Sequence, residues 1–163
     1  MSNAIQSFRV LHNNPFIFGP IFQSFFGSLG EKSKSILLSY LVLPLVLYPE
    51  SHSFLVGATL SSSMRTLVEA KGSKGIKIEK RSRIYGLEER IVEYRELTNI
   101  SLQYAIDIGV LKVDEKLSVD VILDWPTNPI CSPKQLKAAS NLGRLFKPLD
   151  VPTIYRSLGV KRL

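Results

Sequence analysis

Cysteine and histidine are nearly missing from this sequence. The single cysteine, Cys131, excludes an internal disulfide framework and any multi-cysteine zinc site. One cysteine also fits a reducing compartment, so a cytoplasmic location is expected. His12 and His52 lie far apart in unlike contexts, and neither an HxxxH nor a CxxC spacing occurs. No metal or other cofactor is therefore expected. Also missing is a phosphate-binding loop: the Gly72–Gly75 segment lacks the long spacing and the terminal Lys-Ser/Thr of a P-loop. Glu88–Glu89 and Asp114–Glu115 are adjacent in sequence, whereas acid–base work needs carboxylates facing one another across a cleft. The serines have no nucleophile-elbow context. These absences argue against an enzyme.

The chain lacks an apolar run long enough for a bilayer. The longest, ILLSYLVLPLVLY at residues 36–48, falls well short of the ~20 residues a spanning helix needs. Lys32 and Lys34 precede it, and Ser39 and Pro44 interrupt it. An earlier apolar stretch, PFIFGPIFQSFFGSLG (15–30), is divided by Gly19, Pro20, Gln23 and Gly27. Two short apolar elements in succession read as a helical pair buried against each other in a core, and no membrane contact is expected. No secretory pattern opens the chain: the first basic residue is Arg9, and no apolar segment precedes a small-residue cleavage site.

What is present is ordinary globular composition with a basic balance. The 163 residues are 45% hydrophobic and 21% charged, with a formal net charge of +7. A chain of this length reads as a single domain, large enough to bury a core without disulfide or metal. A mean hydropathy of +0.10 is on the apolar side and hints at surface covered by a partner. The positive balance favours nucleic acid, anionic lipid and acidic proteins, and it equally suits a basic protein that binds none of them.

Local signals predict a mainly α protein, compact and helical, with one small β-hairpin. Residues 1–13 read as an N-terminal arm. Asn14 followed by Pro15 is a helix start, with the helix running to about Leu29 and Gly30 as its stop. A second helix is predicted over about Ser33–Leu47, kinked or terminated at Pro44. PESHS (49–53) reads as a turn, followed by a short helix through Phe54, Leu55, Ala58 and Leu60. Ser61–Ser63 offer a cap for Met64–Ala70.

From Ile84 to Ile108 the apolar spacing is helical, with Thr98 and Asn99 as a candidate break and Gly109 as the C-cap. VLKVDEKLSVDVIL (110–123) then alternates, with Leu111, Val113, Leu117, Val119 and Val121 on one face and DEK as the turn. A helix feeding directly into a two-stranded wing resembles the second half of a winged helix. DWPTNPICSP is a connector, and Ser132-Pro-Lys-Gln135 is a capping box for a helix to about Phe146. Asp150 caps a last helix, Val151–Leu158, which Gly159 stops with Val160 packed back.

Two kinds of candidate contact residue emerge. The basic loop 71–83 carries Lys71, Lys74, Lys77, Lys80, Arg81 and Arg83, which would neutralise phosphates if nucleic acid were bound and would otherwise form a solvated connector. Lys134, Lys137, Arg144 and Lys147 form a second basic stripe open to the same two readings. Phe16, Phe18, Phe22, Phe25 and Phe26, together with Tyr155 and Leu158 of the last helix, are candidates for partner binding, against the alternative of core packing.

NNPF near the start, the LVLPLVLY block, the GVL-hairpin, and the ending LGRLF…VPTIYRSLGVKRL occur in that order. In these blocks the sequence resembles the small middle component of prokaryotic three-component ABC (ABC-3C) systems, a group that includes the small subunit of Lamassu-type defence operons. The resemblance covers about Asn13 to Leu163 and is anchored on LPLVL and TIYxxLGV. It implies a non-catalytic subunit that joins or regulates an SMC-like or ABC-type ATPase and a separate effector, often a nuclease. Any DNA contact would then be indirect or weak. A winged-helix DNA-binding regulator is the alternative. Against it, residues 98–108 offer Asn99 and Gln103 to bases but no Lys or Arg, and Asp107 is repulsive.

Overall fold

In a computed structural model, residues 14–31, 34–69 and 81–161 are described. The expected arm (1–13) and most of the basic loop lie outside them. Among the described residues there are seven α-helices and one two-stranded antiparallel sheet. In chain order the helices are α1 (Pro15–Ser28), α2 (Ser39–Val46), α3 (Pro49–Gly57), α4 (Met64–Val68), α5 (Leu87–Asp107), α6 (Pro133–Phe146) and α7 (Val151–Leu158). Strands β1 (Leu111–Val113) and β2 (Val119–Val121) lie between α5 and α6.

α1 is the central element and packs against both α5 and α6. Its sequence explains this position. It has no charged residue, and Phe18, Ile21, Phe22, Phe25 and Phe26 are all buried. Asn14 accepts a hydrogen bond from the Phe16 amide at 3.0 Å, and Pro15 takes the first position. Pro20 is accommodated within the first two turns. The helix ends in extended backbone at Leu29 rather than in the left-handed cap expected of Gly30. Gly30 is instead needed for close approach: a Cβ there would lie 3.0 Å from the Lys147 carbonyl oxygen.

The apolar run 36–48 forms the other half of the core. Ile36–Leu38 makes a 3-10 turn capped by Ser35, and α2 follows. Leu38, Leu41, Val42, Leu43, Leu45 and Val46 are fully enclosed. Among the described residues no helix is long and apolar enough to cross a membrane. Pro44 lies inside α2, which continues two residues beyond it to Val46, and Arg90 of α5 donates from Nε to the Pro44 carbonyl at 3.2 Å. The Arg90 guanidinium also stacks 3.7 Å over the Tyr48 ring. A cation at a helix C-terminus is favourable electrostatically, and burial lowers the Arg90 pKa.

Three expectations are corrected. PESHS is the start of a helix, with Pro49 at its first turn and Glu50 on its positive end. Tertiary contacts hold this polar segment: Ser51 Oγ donates to the Leu45 carbonyl at 2.5 Å, and His52 Nδ1 lies 2.8 Å from the Val46 carbonyl. The short helix does not reach Ala58 or Leu60, and Leu60 is 93% exposed. Finally, α5 runs unbroken through Thr98 and Asn99. Thr98 is buried, and Asn99 accepts from the Tyr40 hydroxyl at 2.9 Å, so neither side chain competes for the local backbone.

Other local signals agree with the structure. Gly109 (φ 76°) and Gly159 (φ 72°) are left-handed caps. Both carry the paired bonds of a Schellman motif: Gly109 N–H to Ile106 and Val110 N–H to Ala105, then Gly159 N–H to Arg156 and Val160 N–H to Tyr155. Ser63 and Thr66 form a capping box on α4, which ends at Val68. Ser132 and Gln135 form another on α6. Ser132→Ala should therefore destabilise the fold by about 1 kcal/mol, read as a lower urea midpoint with unchanged slope.

The hairpin pairs Leu111 with Val121, Lys112 with Asp120, and Val113 with Val119. Leu117 does not join the apolar face. It sits in the turn at φ 60° and is exposed, while Asp114 Oδ1 accepts from the amides of Lys116 and Ser118. β2 is not a free wing edge. Val119 N–H donates to the Lys34 carbonyl at 2.7 Å and Ile36 N–H donates to the Leu117 carbonyl at 2.9 Å. Lys34 bridges Asp120 and Glu31 at 2.9 and 2.7 Å, and those hydrogen bonds raise its pKa.

Candidate interaction surfaces

Of the basic residues at 71–83, Lys71, Lys74, Lys77 and Lys80 lie outside the described residues. Arg81 and Arg83 are described, and both lean on the body of the protein. Arg83 stacks 4.3 Å over the Phe54 ring and donates to the Thr66 carbonyl at 2.7 Å. Burial lowers its pKa. With Phe54, Arg65, Thr66 and Glu69 it lines an open cleft of about 450 Å³. Arg81 is left-handed at φ 66°, and its guanidinium lies where a Cβ on Gly159 would stand, 2.6 Å from Nη2. Arg83 thus ties α3 to α4, and Arg81 covers the end of α7.

The second basic stripe divides. Lys134, Lys137 and Lys147 are exposed. Arg144 is turned back, donating to the Thr59 carbonyl at 2.8 Å and to Asn141 Oδ1 at 3.3 Å. Asn141 Nδ2 in turn donates to the Leu55 carbonyl, which closes α6 onto the end of α3.

The aromatic candidates also divide. Phe18 and Phe22 are core residues, as are Phe25 and Phe26, and Leu158 is buried beneath the last helix. The four phenylalanines, with Ile21, form the face of α1 that is turned into the core, whereas Leu158 belongs to α7. Tyr155 is half-buried, donating its hydroxyl to the Leu37 carbonyl at 2.6 Å, and burial pushes its phenol well above the ordinary value. Phe16 alone of this set stands at the surface, 48% exposed. Its ring meets Tyr104 of α5 edge-on at 4.5 Å, and Tyr104 lies 6.0 Å from Trp125 of the connector.

Sequence reasoning missed this three-ring group, because its members come from three distant segments. The contributing signal was Gly19. A Cβ there would come within 2.9 Å of Trp125 Cζ3, so the glycine admits the indole against α1. Gln23 fixes the same connector by donating to the Leu123 carbonyl at 3.1 Å.

The side chains proposed for base contact by a winged helix are engaged elsewhere. Asn99 accepts from Tyr40, and Gln103 donates to Asp107 at 2.7 Å. The winged-helix alternative gains no support from this arrangement.

Cys131 is buried, and burial raises its thiol pKa. Its alkylation by iodoacetamide at pH 8 should be much slower in the folded protein than in urea. Equal rates would contradict its burial. Among the described residues no three His, Cys, Asp or Glu side chains are grouped as a metal site requires.

No curated protein and no solved structure matches the chain. A family model, described as ABC-three component (ABC-3C) system Middle Component 3, matches residues 2–162. That span takes in every element described above, from α1 to the cap of α7. The chain belongs to the Middle Component 3 family of ABC-three component systems.

Proposed function

We propose that the protein is a non-catalytic adaptor that joins an SMC-like or ABC-type ATPase subunit to an effector subunit, a nuclease, and holds the effector in check until DNA is engaged. The observation that carries this reading is the family match over residues 2–162, which makes the chain one component among several. A middle component of such a system acts beside partner proteins. Surface-exposed aromatic side chains support the same reading, since aromatics anchor protein interfaces.

The sequence blocks LPLVL and TIYxxLGV further support a place in a Lamassu-type operon directed against phage and plasmid DNA, in the cytoplasm. DNA contact by this subunit is indirect or weak. Any direct contribution would come from Lys71, Lys74, Lys77 and Lys80, beside Arg81 and Arg83. The test is co-expression with the neighbouring genes followed by size exclusion. The three proteins should elute together. If this chain elutes alone while the other two associate, the adaptor reading fails.

A further inference from the structure

The chain carries 21 Lys and Arg residues, yet three of its segments hold none: residues 14–28, 96–107 and 122–132. The fold brings these three segments together. α1 packs along α5, and the connector after β2 lies over Gly19 and Gln23 of α1. Their common surface is the group Phe16, Tyr104 and Trp125, with ring centroids 4.5 and 6.0 Å apart. Ile100 adds to it one helical turn before Tyr104 and is 47% exposed. The charges on these segments are carboxylates. Asp107 follows Tyr104 by three residues, Asp124 precedes Trp125, and Glu96 precedes Ile100 by one turn; all three are exposed.

This is an apolar, aromatic patch with an acidic rim on a protein of net charge +7. Tyr and Trp at the centre of a patch provide large, rigid contact area, and rim charge selects the partner's sign. Nucleic acid approaching these three segments would meet carboxylates and, among their described residues, no Lys or Arg to offset them.

We propose that this patch is the docking site for a partner subunit of the same system, through a segment that is aliphatic at its centre and flanked by Lys or Arg. The inference rests on the adaptor reading and deepens it by naming the face used and the chemistry of what it receives. The exposed cations Lys134 and Lys137 lie on α6, outside the three segments that form the patch.

The test compares the parent with three variants in the complex with the co-expressed ATPase and effector subunits. D107K/D124K and Ile100→Lys alter exposed positions and should fold normally, as circular dichroism and thermal melting would show. Each should weaken association on the order of tenfold or more, and the D107K/D124K complex should lose most of its salt sensitivity. K134E/K137E, on α6 outside the patch, should associate as the parent does. Parent-like association of D107K/D124K and Ile100→Lys would overturn the inference and leave the adaptor reading standing. Failure of the parent itself to associate would overturn both. Two further results would overturn it by identifying another occupant. One is self-association of the parent that D107K/D124K abolishes, which would mean a second copy. The other is a melting temperature lowered equally by D107K/D124K and by deletion of residues 1–13, with affinity unchanged, which would mean the chain's own start.

Discussion

Replacing Gly143 with alanine should destabilise the protein, although alanine is the better helix former. Gly143 lies where α6 crosses α1. A Cβ there would fall inside van der Waals contact of the Phe25 carbonyl oxygen and stand 3.1 Å from Ser28 Cβ and 3.3 Å from the Leu29 amide nitrogen. Two of these are backbone atoms, so no side-chain rotation relieves the clash. The helices must move apart. That motion would break the Ser28–Ser140 hydroxyl bond of 2.7 Å and the bond from Ser24 to the Leu136 carbonyl of 2.9 Å.

Overpacking of this kind costs about 1–3 kcal/mol, and the added loss of hydrogen bonds puts Gly143→Ala at the upper end. The gain of about 1 kcal/mol in helix propensity offsets only part of it. A net loss of about 2 kcal/mol is expected in urea denaturation. Gly27→Ala supplies the control of opposite sign. Gly27 is exposed on α1, and a Cβ there meets nothing within 4 Å. It should stabilise the protein by up to about 1 kcal/mol. If both changes move stability the same way, the close crossing of α1 and α6 is wrong.

Phe22→Ala should cost about 3–5 kcal/mol, a large share of the ~5–15 kcal/mol that holds a domain folded. Phe22 is fully enclosed in the same α1 face as Phe25 and Phe26. Phe25 meets Phe26 and Phe146 edge-on at 5.1 and 5.9 Å, so the neighbouring rings are already committed and cannot slide in to fill the space. Phe16→Ala, six residues earlier on the same helix, should cost under about 1 kcal/mol, because half of the ring is already in water. The two substitutions separate what the sequence had grouped. Phe22→Ala should lose partner binding only in proportion to the protein it unfolds. Phe16→Ala should leave the melting temperature nearly unchanged and weaken the complex directly.

Such contrasts also mark what was readable from the sequence. Several helix ends were, because capping is local chemistry. Asn14 with Pro15, Ser132 with Gln135, Asp150, Gly109 and Gly159 each act within a few residues of themselves. The burial of 36–48 was readable from its length and interruptions. PESHS was not, because its polar composition resembles a turn until Ser51 and His52 find the carbonyls of α2. The pairing of residues 34–36 with 117–119 was invisible for the same reason, since no local pattern announces a partner that far along the chain.

Arg83 read as a phosphate ligand because its sequence neighbours are basic. In the fold its neighbours are Phe54 and the Thr66 carbonyl. The aromatic patch was the least legible feature, with one ring from each of three segments and its only trace a glycine opposite Trp125.

The central claim is that this chain connects two other proteins. The direct measurement is affinity capture through a tag on the effector subunit, from cells that also produce the ATPase, with and without this chain. The ATPase should be captured when the chain is present and lost when it is omitted. Equal capture of the ATPase in both cases would contradict the account.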